Sequence, residues 1–272
     1  MTIVDEFWNE RIVGNTQWFD EEIDLLFYLQ KRKDLYPEAD SLLGLSLDRT
    51  GTSVLDYGSG PGLDLCGFML NCNPKRLVGL DISAKALAHA KHNLNLLSFY
   101  NVELYKLSDS LAEGFPEIGG TFDFILSSGV LHHTSEPQRI LLYLKSLMHN
   151  NSEMRIMVYN SMSTFNHLYV IAENDGVFES YVDGGHCPIA RKYSSDEFIS
   201  LCNGLGFDIE FLGGYPDPRE RIDLLERIEE ALQDNLPKAT KEFLESVEVR
   251  DGLPYYNNKL CGLGGVYKLG LR

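Results

Sequence analysis

The stretch Val54-Leu55-Asp56-Tyr57-Gly58-Ser59-Gly60-Pro61-Gly62 runs an apolar strand directly into a turn with glycine at every second position. Without a Cβ, each glycine can take backbone conformations closed to other residues and lets a ligand come close to the main chain. Outward from this turn, short apolar runs recur at 53–56, 77–81, 102–107, 122–127 and 154–160. Between them, 63–72, 84–97 and 138–149 carry apolar positions at helical spacing. Strand and crossover repeated in this way predict an α/β fold, a parallel sheet with helices on both faces. Ligands of such sheets bind in the crevice beyond the strands' carboxyl ends, where the glycine turn falls.

A second mark lies 25 residues beyond Asp56, where Val78-Gly79-Leu80-Asp81 ends the next strand on a carboxylate. An acid here can accept two hydrogen bonds from a ribose diol, or cap the helix that begins near Ser83. Both marks suit a nicotinamide dinucleotide as well. However, Gly58-Ser59-Gly60-Pro61-Gly62 departs from G-x-G-x-x-G, and the proline disfavours a pyrophosphate seated on the helix.

With these residues the chain resembles the class I methyltransferases that use S-adenosyl-L-methionine, the small-molecule type in particular. The resemblance implies a seven-stranded, mostly parallel Rossmann-like methyltransferase sheet, with 207–212 and 266–269 as its sixth and seventh strands. It implies that Asp56, Gly58, Ser59, Gly60 and Gly62 pack against the cofactor's methionine part and adenosine, and that Asp81, with Ile82 beside it, holds the ribose. By the same likeness Asp109 and Ser110, after the third strand, face the adenine amino group. Ser128, Gly129, Val130 and His132, after the fourth, flank cofactor and acceptor.

The implied reaction is direct displacement on the sulfonium methyl, in which alignment and exclusion of water suffice without a covalent residue or a metal. A hydroxyl acceptor would profit from a base, and histidine titrates near neutrality. His133 is the first candidate, as base, as acceptor-orienting group, or as part of a hydrogen-bonded shell around the cofactor. His186, Arg191 and Tyr193 form a second polar group, either touching the acceptor or belonging to a turn held by Asp183, Gly184, Gly185 and Pro188. His132, His133, His186 and Cys187 lack a recognised metal-ligand spacing, so no metal is expected.

Around this central region, residues 1–50 read as an N-terminal helical cap, with Phe19, Ile23, Leu26, Phe27 and Leu29 spaced three or four apart. Its aromatics can close over an acceptor or form the cap's own core. Residues 51–272 form the methyltransferase domain. Within it, 161–192 lacks a period and suits a lid or acceptor region, while 216–251 reads as a helical insertion before the last strand.

With 272 residues, 44% of them hydrophobic and 24% charged, one large domain is expected. Forty acids against 24 bases give a net charge of −16, from which no nucleic-acid partner is expected. The basic run at Lys31–Lys33 reads as solvated helix surface or salt bridging. Five cysteines without paired C-x-x-C spacing suggest a reducing compartment, and the absence of a long apolar run predicts a cytoplasmic protein without membrane contact. A homodimer is compatible with the sequence. The expected function is methyl transfer to oxygen or nitrogen of a small molecule. A protein methyltransferase, a cofactor-binding scaffold that regulates a partner and a nicotinamide oxidoreductase are the alternatives.

Overall fold

A strand covered on both faces reads as a nearly continuous apolar run, and β1 (Ser53–Tyr57) is buried at every position, Ser53 and Asp56 included. The computed structural model describes residues 3–10, 18–107, 114–173, 176–182, 185 and 187–272. Three helices, α1 (Ile3–Glu10), α2 (Glu22–Leu35) and α3 (Pro37–Leu43), precede β1. There follow α4 (Leu63–Asn71), β2 (Arg76–Asp81), α5 (Ala84–Leu96), β3 (Glu103–Lys106), β4 (Phe122–Ser128), α6 (Pro137–Ser146) and β5 (Met148–Tyr159). A π-type helix (Phe165–Ala172), α7 (Ser195–Gly204) and β6 (Phe207–Tyr215) come next. The chain continues through α8 (Leu224–Ala231), α9 (Lys238–Ser246), β7 (Glu248–Arg250), β8 (Leu253–Tyr256), β9 (Lys259–Leu260) and β10 (Gly264–Leu271).

Seven strands form one sheet in the order β3-β2-β1-β4-β5-β10-β6. The first five are parallel, and β10 runs antiparallel between β5 and β6. Strand order reverses between β1 and β4, so the crevice opens above their carboxyl ends. All seven expected strands are present, and this is the Rossmann-like methyltransferase sheet.

Two departures from expectation have local causes. β5 begins at Met148, because the polar stretch before Met154 stays in the sheet through Ser152, whose hydroxyl accepts the His149 N–H (2.8 Å) and donates to the Phe122 carbonyl (2.6 Å). The insertion before the last strand holds the expected helices α8 and α9, but its end at β7 joins β8 and β9 in a small antiparallel sheet. Its hairpins turn at Asp251-Gly252 and Asn257-Asn258, all at positive φ, which is the chemistry of tight hairpin loops.

The N-terminal helices share a core with the sheet. Phe19, Leu25, Ala39 and Leu43 pack in one cluster with Val54, Phe68, Phe124 and Val266. α2 turns Leu25 fully inward, a burial that contributes roughly 1.5–3 kcal/mol. Ile23 and Phe27, expected on the helix's apolar face, instead point outward, 65% and 71% exposed. In the 161–192 segment Phe165, Val170, Phe178, Val182 and Ala190 bury one another against Leu263. Leu168 of the π-type helix packs against Leu224 and Ile228 of α8 and Phe243 and Leu244 of α9. Among the described residues no helix is long and apolar enough to cross a membrane.

Candidate active site

Beyond β1 the backbone doubles back on itself: the N–H groups of Gly58 and Ser59 both donate to the Leu80 carbonyl (2.7 and 2.9 Å). Gly58, Gly60 and Gly62 all have positive φ, at 79°, 52° and 76°. Their reasons differ. A Cβ on Gly58 would lie 2.1 Å from Val130 Cγ2, and one on Gly62 would lie 2.8 Å from the Ala90 Cβ, so both are close approaches of the loop to its neighbours. At Gly60 nothing lies within 4 Å of where a Cβ would be, which leaves an open concave floor. The Gly60 N–H donates to Asp81 Oδ2 (2.8 Å) and the Ser83 N–H to Oδ1 (2.7 Å), so the carboxylate ties the glycine turn to the start of α5. Ser83 itself caps that helix, its hydroxyl accepting the Ala86 N–H (3.1 Å).

These groups form one end of a cavity of about 870 Å³, within the size range of ligand pockets. Gly58, Ser59, Gly60, Asp81 and Ile82 line it, as do Ser128, Gly129 and Val130 at the end of β4. Burial raises the Asp81 carboxyl above the ordinary range, and the N–H groups of Ser83, Gly60 and Ile82 partly restore the charged form. Asp56 and Gly62, expected against the cofactor, do not line the cavity. Asp56 is 3% exposed, and burial, with Asp64 nearby, raises its carboxyl well above the usual value. Asp109, Ser110 and His186 lie outside the described residues.

The two histidines after β4 part company. His132 is fully buried beneath Tyr159, ring centroids 3.8 Å apart, with neither ring nitrogen hydrogen-bonded among the described residues. Burial drives its pKa well down, and it does not line the cavity, which corrects the expectation that it contacts the cofactor. His133 lines the cavity, with the Trp8 ring 5.2 Å away. Its Nδ1 lies 2.6 Å from the Ile189 carbonyl oxygen, which can only accept, so Nδ1 carries a proton, and in the neutral ring Nε2 bears the lone pair.

Arg191 and Tyr193 were expected at the acceptor, yet neither lines this cavity. They border a separate surface depression with Glu136, Arg139 and Lys192, because the segment that carries them runs behind the turn holding His133. Among the described residues, none of 161–192 lines the cavity, whose cover comes from the N-terminal helices through Val4, Trp8, Leu26, Leu29 and Tyr36.

Sequence reading missed two groups here. Arg32, read as solvated helix surface or salt bridging, does form a salt bridge, gripping Asp64 with both terminal guanidinium nitrogens (2.5 and 3.2 Å), but it also faces the cavity. The signal was its helical spacing from the buried Leu25, together with an acid two residues after Gly62. Tyr215, at the end of β6, is half-buried and packs its ring over Gly264, where a Cβ would meet it at 2.4 Å. Its phenol is pushed up by burial and stays protonated.

An open glycine floor, a half-buried carboxylate beside it and a charged pair in the lining suit a nucleoside joined to an amino acid. Fold and site together define a class I S-adenosylmethionine-dependent methyltransferase. Residues 48–181, just under half of the chain, match the model of a methyltransferase domain, and that part of the chain is a methyltransferase domain on that ground. It is similar to the tRNA U34 carboxymethyltransferases of Campylobacter hominis and Campylobacter concisus, 32% and 30% identical over 114 residues. That match takes in 42% of this chain and 38% of either relative, so the chain covers well under half their length. Among solved structures, magnesium protoporphyrin IX methyltransferase from Synechocystis, with S-adenosylhomocysteine bound, superposes with a TM-score of 0.52 at 16% identity. The match covers 99% of each chain. These relatives correct one expectation: nucleic acid was excluded as a partner on net charge, whereas the Campylobacter proteins are named for action on tRNA. Net charge describes the average field and says little about one groove.

Proposed function

We propose that the chain transfers a methyl group to an oxygen or nitrogen of a small-molecule acceptor that enters beside His133. The observation carrying this reading is one continuous cavity, running from the Gly60 floor and Asp81 to His133 under the cover of Trp8. S-adenosylmethionine, when bound, supplies an electrophilic methyl on a sulfonium. In this reading Asp81 takes the ribose hydroxyls, and Arg32 and Asp64 take the carboxylate and ammonium of the methionine part. The α1 and α2 side chains exclude water, which strengthens these charge interactions. His133 accepts the acceptor's proton at Nε2 as its nucleophilic atom takes the methyl.

A second reading has a tRNA base as the acceptor, and the names of the Campylobacter relatives favour it. A flat base, turned out of its stack, would suit an aromatic-walled pocket. One experiment separates the two. Methyl-tritiated S-adenosylmethionine is incubated with the purified chain and, separately, with a metabolite extract or deproteinised total tRNA. Label in low-mass product supports the first reading, and label in tRNA replaces it with the second. Label in neither, with S-adenosylhomocysteine binding intact, overturns both.

A further inference from the structure

Residues 187–193 run along the back of the turn that carries His133 and touch it at each step. The Arg191 N–H donates to the His132 carbonyl (2.9 Å), and the Arg191 guanidinium donates to the Thr134 carbonyl. The Ile189 carbonyl accepts from His133 Nδ1 (2.6 Å) and from the Cys187 thiol (3.1 Å). The Tyr193 N–H then donates to the Tyr159 carbonyl (2.8 Å), which fastens the segment to the end of β5. The carbonyls on either side of His133 are thus held by one arginine, and its ring proton by the same segment.

We propose that Arg191, on the segment that the Tyr193 N–H fastens to β5, is a positioning residue that fixes the orientation and tautomer of His133 from outside the cavity. This rests on the reading of His133 as the group facing the acceptor. Arg191 reaches Thr134 through a single donor, so a lysine can replace that contact and a methionine cannot. Without it, the turn is free to rotate away from Ile189, and the proton can move to Nε2, the nitrogen that would have to accept one. A displacement of this kind at a reacting centre lowers turnover without touching the cofactor site.

The test uses the full chain, labelled with ¹⁵N-histidine, as Arg191→Met, Arg191→Lys and the unaltered protein, with His133→Ala to assign the His133 signals. Long-range nitrogen–proton correlations should show His133 as the Nδ1–H tautomer in the unaltered chain and in Arg191→Lys, and as a mixture in Arg191→Met. Once an acceptor is in hand, Arg191→Met should lose about tenfold in kcat, with unchanged S-adenosylhomocysteine affinity showing that the fold is intact. An unchanged His133 tautomer in Arg191→Met overturns the proposal. Full turnover in His133→Ala overturns the role of His133 instead, and leaves the tautomer result to decide the positioning.

Discussion

Gly58 and Gly60 share a left-handed backbone but answer to different neighbours, and their substitutions should part accordingly. Gly58→Ala drives a methyl into Val130 and should cost about 3 kcal/mol in a denaturant melt, from overpacking added to backbone strain. Gly60→Ala meets no protein atom and should cost only about 1–2 kcal/mol of stability. Its methyl stands on the floor of the cavity, so S-adenosylhomocysteine affinity should fall by more than about tenfold in calorimetry, a larger effect than its stability cost implies. Equal affinity in Gly60→Ala and the unaltered chain would remove the floor from the cofactor site. Asp81→Asn exchanges a charge-assisted acceptor for an amide, and the same titration should find binding weaker by about 10- to 100-fold. The glycines and Asp81 were legible because their meaning lies in a short spacing at strand ends. Arg32 was not, since only the fold brings it to Asp64.

Among the elements, α1 lies over the cavity, and its Trp8 is the natural reporter of ligand. Trp18 instead stacks on His92, ring centroids 3.9 Å apart, away from the cavity lining. Addition of S-adenosylhomocysteine should therefore change the intrinsic fluorescence of Trp18→Phe and leave that of Trp8→Phe flat. The reverse pattern would mean that α1 does not cover the site. Glu220 joins two other elements to its own turn. Its carboxylate accepts the N–H groups of Phe165 (2.6 Å), Asp217 (2.7 Å) and Leu263 (2.9 Å) and the Thr164 hydroxyl (2.5 Å), which fastens the π-type helix and the approach to β10 to the turn after β6. Burial outweighs these donors and pushes its pKa from 4.5 up to about 7. Between those values the folded chain keeps a proton that the unfolded chain has released, so this group's stabilising effect falls as pH rises through the window, by about 3 kcal/mol in all. Glu220→Gln cannot titrate. Urea melts at pH 5 and pH 7 should show its deficit against the unaltered chain shrinking toward neutrality, and a constant deficit would mean that Glu220 stays ionised throughout. The hub was invisible in sequence because its donors lie 43 and 55 residues from it.

On the scale of the whole molecule, a ligand that binds only the folded state adds about 2.7 kcal/mol at one hundred times its Kd. For a chain of 272 residues, that raises Tm by about 5 °C. S-adenosylhomocysteine should give this shift in a thermal melt, and a flat response at millimolar ligand would remove the cofactor assignment. What the sequence by itself determined is the doubly wound sheet, its seven strands and the glycine turn and Asp81 that meet at one end of the cavity. Strands covered on both faces show as short apolar runs, and the glycine turn and Asp81 make their contacts at adjacent strand ends. Only the tertiary structure decided what covers the cavity and which residues reach it. The segment with the most suggestive polar residues, 161–192, was drawn into a satellite core against α8 and α9, while the acidic N-terminal helices closed the site. Those outcomes depend on which apolar faces bury each other across distant parts of the chain, and periodicity along one stretch carries no record of its partner.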